Sequence, residues 1–114
     1  MKCIRTRKNA GFFEPLAATR SAQAAMMVLQ PGQTTGEPQS EHPRCEQWLF
    51  VIAGTGKALV NKRRVSLRPQ TLLLIEKGEV HQVKNTGRSP LVTINFYAPP
   101  AYTADGDVKP AAKR

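Results

Sequence analysis

The feature that most limits the fold of this chain is a series of short apolar segments separated by turn residues between positions 24 and 98. The segments are four to eight residues long, and the breaks between them carry Gly, Pro and Asn. Turn signals at intervals of about eight to twelve residues are typical of an all-β sandwich or barrel. Because no helical period of useful length competes with this pattern, the sequence predicts an all-β fold.

Seven of these segments are predicted to be strands that short turns join to antiparallel neighbours. An eighth short strand is expected between Thr34 and Ser40, and the Ala-rich stretch 17–25 is the one place where a helix is an alternative. The seven predicted strands are 24–30, 47–53, 57–61, 64–67, 71–76, 80–85 and 91–98.

The chain divides into three regions by composition. Residues 1–23 form a basic N-terminal arm with either a strand or a short helix, and residues 24–98 form the barrel. Residues 99–114 are mainly Pro, Ala and charged residues, which predicts a loose C-terminal tail.

The size of the chain excludes several classes of protein. A chain of 114 residues buries one hydrophobic core, which leaves no room for separate catalytic and substrate domains. The longest uninterrupted apolar run, 48–53, has six residues, whereas a membrane-spanning helix needs about 20. The basic first ten residues lack the apolar stretch of a signal peptide. We therefore expect no membrane association and a cytoplasmic location.

The net charge of +9 raises the question of nucleic-acid binding. Five basic residues and one acidic residue lie in the N-terminal arm, so much of the excess charge is at an end of the chain, where solvated side chains are common. No aromatic residue is interleaved with these charges, as a surface that stacks bases would require. The sequence therefore does not favour a nucleic-acid partner.

The alternation of side chains along two strands indicates where apolar and polar groups face. In 47–53, both faces of the strand are apolar, so the face that does not line the barrel needs a second sheet or a partner subunit. We therefore expect a homodimer, with Trp48 and Phe50 in packing or in the dimer interface. In 80–85, His81 shares a face with Val83 and is predicted to point inward.

Two blocks of the barrel region resemble the motifs of the cupin superfamily. The first block runs from a glycine-containing turn at 31–36 through 40–47 to an apolar strand that ends at 54–56. The second block, 76–85 (EKGEVHQVKN), matches the family pattern Gly-x-x-His-x-x-x-Asn. Cupins are double-stranded β-helix (jelly-roll) barrels, so the resemblance implies that fold for 24–98.

The resemblance also implies a metal site, which this sequence changes. Known cupins commonly hold zinc, iron, manganese or nickel between three histidines and one glutamate. By position in the motifs, His42 and His81 match two of those histidines. Ser40 stands at the position of the first histidine, and Gln47 stands at the position of the glutamate. Because the chain has two histidines in all, the three-histidine site is excluded.

Three interpretations of this site stay open. In the first, His42, His81 and the Gln47 amide oxygen hold a divalent transition metal, with Glu46 as the alternative ligand if the strand register shifts by one residue. In the second, no metal is bound, and the histidines act as neutral hydrogen-bonding groups or as a general base. In the third, both histidine rings only form hydrogen bonds with neighbouring groups inside the barrel and have no functional role.

The rest of the predicted pocket is small and mostly apolar, as small-molecule sites usually are. Glu41 alternates away from His42 and is expected to face solvent, and Cys45 is interpreted as a small apolar residue. Alternate residues of 91–97 are expected to line the pocket, together with the remaining predicted lining residues Ser40, Glu46, Leu49, Val51 and Val83.

The predicted ligand is a small polar metabolite. With a metal, the site would support isomerase, lyase or oxygenase-like chemistry. The alternative is a ligand-binding or sensor barrel without metal and without catalysis, because a fold alone does not choose among such functions.

Overall fold

The computed structural model describes residues 1–6 and 11–113. Within these ranges, no helix is long and apolar enough to cross a membrane. The elements are β1 (Phe13–Ala18), β2 (Gln23–Leu29), β3 (Glu46–Ala53), β4 (Gly56–Val60), β5 (Arg63–Leu67), β6 (Leu72–Ile75), β7 (His81–Asn85), β8 (Leu91–Ala98) and α1 (Pro110–Lys113).

The strands form two antiparallel sheets, which confirms the all-β prediction. The larger sheet has the order β1-β2-β8-β3-β6, and the smaller sheet has the order β5-β4-β7. Apolar side chains from both sheets meet between them, and Leu49, Val51 and Val83 are almost completely buried there. This shared core fixes the distance and orientation of the strands that carry the candidate site.

The seven predicted strands occur with ends shifted by one residue or less. The expected strand between Thr34 and Ser40 is reduced to two isolated bridges, Thr34 to Lys84 and Gln39 to His81. The helix considered for 17–25 is wrong, because Ala17 pairs with Ala24 across the antiparallel β1–β2 ladder. Burial of alternate β2 side chains in the core outweighs the helix propensity of alanine.

Turn geometry explains why neighbouring strands join so closely. Asn61 and Lys62 connect β4 to β5, and both have positive φ (47° and 68°), as a two-residue hairpin turn with the twist of the strands requires. At Gly54, φ is +85°, and an added Cβ would collide with the backbone oxygen of Pro90. Gly54 thus allows the end of β3 to pass close to the chain entering β8.

The C-terminal segment differs from the predicted loose tail. Ala101, Tyr102 and Ala112 are buried against the barrel. The buried Gln23 side chain anchors this segment: its Nε2 donates to Tyr102 O at 2.8 Å, and its Oε1 accepts from the backbone N–H groups of Ala101 and Tyr102. Residue composition predicted solvation, but these hydrogen bonds and the apolar contacts hold the segment at one end of the barrel.

Candidate functional site

A cavity of about 410 Å³ lies at the end of the barrel that the C-terminal segment borders. Strands of both sheets contribute to its wall, as do the loop before β3 and the segment after β8. Its lining residues are Phe12, Phe13, Met27, Thr35, Gln39, Glu41, His42, Gln47, His81, Val83, Tyr97, Tyr102, Asp105 and Gly106.

The structure brings four of the predicted site residues together around this cavity: His42, Gln47, His81 and Val83. The other four lie outside the lining. Leu49 and Val51 are fully buried deeper in the core, and Ser40 lies in the loop ahead of β3. Glu46 precedes Gln47 on β3 and therefore points to the opposite face of the strand. The register shift that would have made Glu46 a ligand does not occur.

The two histidines face each other although they are distant in sequence. Their ring centroids are 5.3 Å apart. His42 lies in a tight turn before β3, in which Cys45 N donates to His42 O at 3.0 Å, and its side chain is 3% exposed. His81 begins β7, and its Nδ1 is 3.0 Å from the backbone oxygen of Glu79. Because a carbonyl oxygen accepts only, Nδ1 carries the proton in this contact, and in the neutral ring Nε2 is then the acceptor.

A chain of buried hydrogen bonds decides which end of the Gln47 amide faces the cavity. The Thr93 hydroxyl donates to Met27 O at 2.9 Å, so Thr93 Oγ1 accepts from Asn95 Nδ2 at 3.0 Å. Asn95 Oδ1 then accepts from Gln47 Nε2 at 2.8 Å. Gln47 Oε1 is left buried without a hydrogen-bond partner among the described residues. This acceptor lies close enough to the His42 ring to raise the pKa of that ring, yet no group in the described residues donates a hydrogen bond to it.

The surroundings of His42 favour its neutral form. Burial lowers the pKa of the His42 ring below its usual value of 6.5, and the charge of His81 lowers this pKa further. The Gln47 side chain and nearby backbone groups raise it, but by less. At neutral pH the His42 ring is therefore uncharged and offers one donor and one acceptor.

Aromatic rings form the wall next to the histidines. The centroids of Tyr97 and Tyr102 are 5.0 Å apart, and that of Tyr97 is 5.1 Å from the His42 ring. Of the alternate residues of 91–97 that were expected to line the pocket, Tyr97 does so, whereas Thr93 and Asn95 are buried outside the cavity lining. Tyr102 was missed because the C-terminal segment was expected to be loose, although a tyrosine among small residues was a signal that it packs.

Glu41 is exposed, as expected from the sequence, and it also has a place at the cavity. Its Oε2 accepts from the Tyr102 hydroxyl at 3.4 Å. Burial raises the pKa of Tyr102, and the negative charge of Glu41 adds to the effect. The phenol therefore stays protonated and donates a hydrogen bond to the carboxylate.

Comparison with known proteins assigns the fold and its motifs to a family. Residues 25–97 match the family model described as a cupin domain. The chain belongs to the cupin family. The resemblance of the two sequence blocks is confirmed, and so is the double-stranded β-helix architecture.

Three relatives show how far this similarity extends. The uncharacterized protein YrkC of Bacillus subtilis is 30% identical over 101 residues, which are 83% of this chain and 53% of YrkC. This chain thus spans about half the length of that relative. The structure of BH2720 from Bacillus halodurans is 30% identical with a TM-score of 0.78, covering 89% of this chain and 79% of that one. An RmlC-like cupin family protein from Methanocaldococcus jannaschii shares the fold, with 17% identity, a TM-score of 0.74 and coverage of 87% and 91%.

This cupin offers a transition metal fewer ligands than the three histidines and one glutamate that are common in the family. Within the part of the chain that the structure describes, no three His, Cys, Asp or Glu side chains lie close enough together to hold a metal ion. Two imidazoles and the Gln47 Oε1 oxygen remain as donors. All three are neutral, so they attract a cation more weakly than a set that includes a carboxylate.

The lowered pKa of His42 predicts a loss of stability in mild acid. The unfolded cupin binds a proton on His42 near pH 6.5, whereas the folded state binds it only at lower pH, so the unfolded state gains protons first as the pH falls. We expect the melting temperature to fall between pH 7 and about 5.5, and His42→Gln to flatten this dependence.

Melting curves over that pH range, measured for both proteins, check the expectation. His81→Gln should keep most of the dependence, because burial is the larger cause of the shift. An equal slope in wild type and His42→Gln would contradict it.

Proposed function

We propose that this cupin binds a small polar molecule in the cavity between His42, His81 and Gln47. The observation that carries the proposal is the buried Gln47 Oε1 atom, which has no hydrogen-bond partner among the described residues. A buried acceptor without a donor costs about 1–3 kcal/mol, and a ligand that donates to it recovers that cost on binding. The hydrogen bonds through Asn95 keep this oxygen in place before the ligand arrives.

The cavity has the mixture of groups that such binding requires. His81 Nε2 supplies a second acceptor, and the neutral His42 ring supplies a donor and an acceptor at neutral pH. Phe13 and Val83 form apolar parts of the wall, which exclude water and strengthen polar contacts to a ligand.

A library of small polar molecules, added to the full chain, tests this proposal. Binding is followed by the NMR signals of the two histidine rings. Gln47→Leu removes the Oε1 acceptor and should weaken binding of a hit by about tenfold, the effect of one buried hydrogen bond. Gln82→Leu is the matched control, because it loses one hydrogen bond, to Gly36 O, outside the cavity lining. If no compound shifts the ring signals, or if Gln47→Leu binds a hit as tightly as wild type, the proposal fails.

A divalent transition metal is a second candidate for the same site. The observation that favours it is again Gln47 Oε1, since a cation satisfies a free oxygen as well as a donor does. His42, His81 and Gln47 would hold zinc, iron, manganese or nickel. The metal would supply a Lewis acid that polarises a ligand oxygen, and isomerase, lyase or oxygenase-like activity would depend on it.

Metal content, measured by elemental mass spectrometry on protein without a tag, tests this candidate. We expect about one equivalent in wild type and its loss in His81→Ala. Gln47→Glu adds a negative charge beside the cation and should raise metal affinity about tenfold or more.

The carboxylate on the opposite face of β3 supplies the control for the metal test. Glu46→Gln should leave the metal content unchanged, because this side chain lies outside the cavity lining. If neither wild type nor Gln47→Glu contains metal, the metal-binding candidate is wrong. The small-molecule proposal is tested separately, by the library experiment.

We also propose that the outer face of the five-stranded sheet pairs with a second copy of the chain. On this face, Trp48 lies beside Phe96 and Leu74 in neighbouring strands, and the exposed Ile52 and Leu72 extend the patch. Contiguous exposed apolar surface of this kind marks interaction sites. Two copies that each carry +9 repel each other, so a face formed by uncharged side chains is the most favourable place for them to meet.

Sedimentation at micromolar concentration tests the dimer. Leu72 is 57% exposed on this face, and Leu72→Arg should convert the dimer into a species of 12.6 kDa. Val80→Arg changes an apolar residue that is 40% exposed beside the smaller sheet, and it should leave the dimer intact. If the wild-type protein sediments as a monomer, the dimer proposal is wrong.

A further inference from the structure

The charges at the cavity have the opposite sign to the charge of the whole chain. The sequence has 17 basic and 8 acidic residues. Nevertheless, the two charged carboxylates among the lining residues, Glu41 and Asp105, are accompanied by no lysine or arginine from the described ranges. The carboxylates of the lining therefore favour a ligand that carries positive charge.

The hydrogen-bonding groups of the cavity are also unbalanced. Gln47 Oε1 is a buried acceptor without a hydrogen-bond partner among the described residues, and both carboxylates accept only. The Tyr102 hydroxyl already donates to Glu41. An anionic ligand, such as a carboxylate or a phosphate, would therefore be repelled by the two carboxylates, whereas a ligand that carries donor groups would satisfy Gln47 Oε1.

The aromatic wall adds a third property. The ring centroids of Phe13 and Tyr102 are 4.6 Å apart, and that of Tyr97 is 5.0 Å from Tyr102, so three rings lie together at the cavity. The π-face of an aromatic ring attracts an organic cation, most strongly where water is excluded. Carboxylates beside clustered aromatic rings are thus suited to an ammonium group that carries apolar carbon.

We propose that the ligand of this cavity is a small organic cation, an amine or a quaternary ammonium compound. The proposal rests on the small-molecule function above and names its ligand class. The ammonium group lies against the rings of Phe13 and Tyr102, with Glu41 as its counter-charge. A donor group elsewhere on the ligand reaches Gln47 Oε1.

Four probes of similar size and different charge test the proposal on the full chain, in a chelator at low ionic strength. They are choline, ethanolamine, the neutral choline analogue 3,3-dimethyl-1-butanol and the anion 3,3-dimethylbutyrate. Calorimetry gives the affinities, and the histidine ring signals locate the binding. We expect the better of the two cations to bind about tenfold more tightly than the neutral alcohol, and the anion not to bind.

Two matched variants test the source of the preference. Glu41→Gln should weaken binding of the cation about three- to fivefold, as expected for one partly exposed ion pair, and leave the neutral alcohol unaffected. Glu37→Gln, an exposed carboxylate outside the cavity lining, should change neither.

The outcomes separate this proposal from the small-molecule function. If the alcohol or the anion binds as tightly as the cations or more tightly, and shifts the histidine signals, the ligand is not a cation. That result supports the small-molecule function. Failure of both cations to bind at millimolar concentration also overturns the cation class, and the library experiment then decides the function by itself. A cation that binds without shifting the histidine signals binds elsewhere and counts against the proposal.

Discussion

The central position of β8 in the larger sheet is the constraint on which the rest of the structure depends. This strand pairs with β2 on one side and with β3 on the other along nearly its whole length. Its inward residues Thr93, Asn95 and Tyr97 are therefore fixed between two neighbours and are almost completely buried. Two of them are polar, and burial obliges them to find hydrogen-bond partners within the barrel.

The hydrogen bonds that these polar residues form also orient Gln47 at the candidate site. The hydrogen bonds run from Met27 O through Thr93 and Asn95 to Gln47. At each residue, the bond to one neighbour fixes which atom donates or accepts in the bond to the next. The chain ends with one acceptor unpaired, Gln47 Oε1, beside the two histidines. The hydrogen bonds that pair buried polar groups in the core thus also orient the free acceptor at the cavity.

The candidate site was partly predictable because its strand residues follow simple periodicity. His81, Gln47 and Val83 could be placed inward by alternation and by the cupin motifs, and all three line the cavity. Tyr102 and Glu41 could not be placed in this way. Their positions depend on how the C-terminal segment folds back, which Gln23 fixes across a sequence separation of 79 residues.

The sequence by itself determined the all-β class, the strand positions, the cupin family and the loss of the three-histidine site, because periodicity, turn residues and motif spacing are local properties. The tertiary structure alone decided which end of the Gln47 amide is unpaired, and that acidic and aromatic side chains border the cavity of a basic protein. These features depend on contacts between residues far apart in the chain. Such contacts are set by packing and by the need to pair buried polar groups, and no local pattern records them.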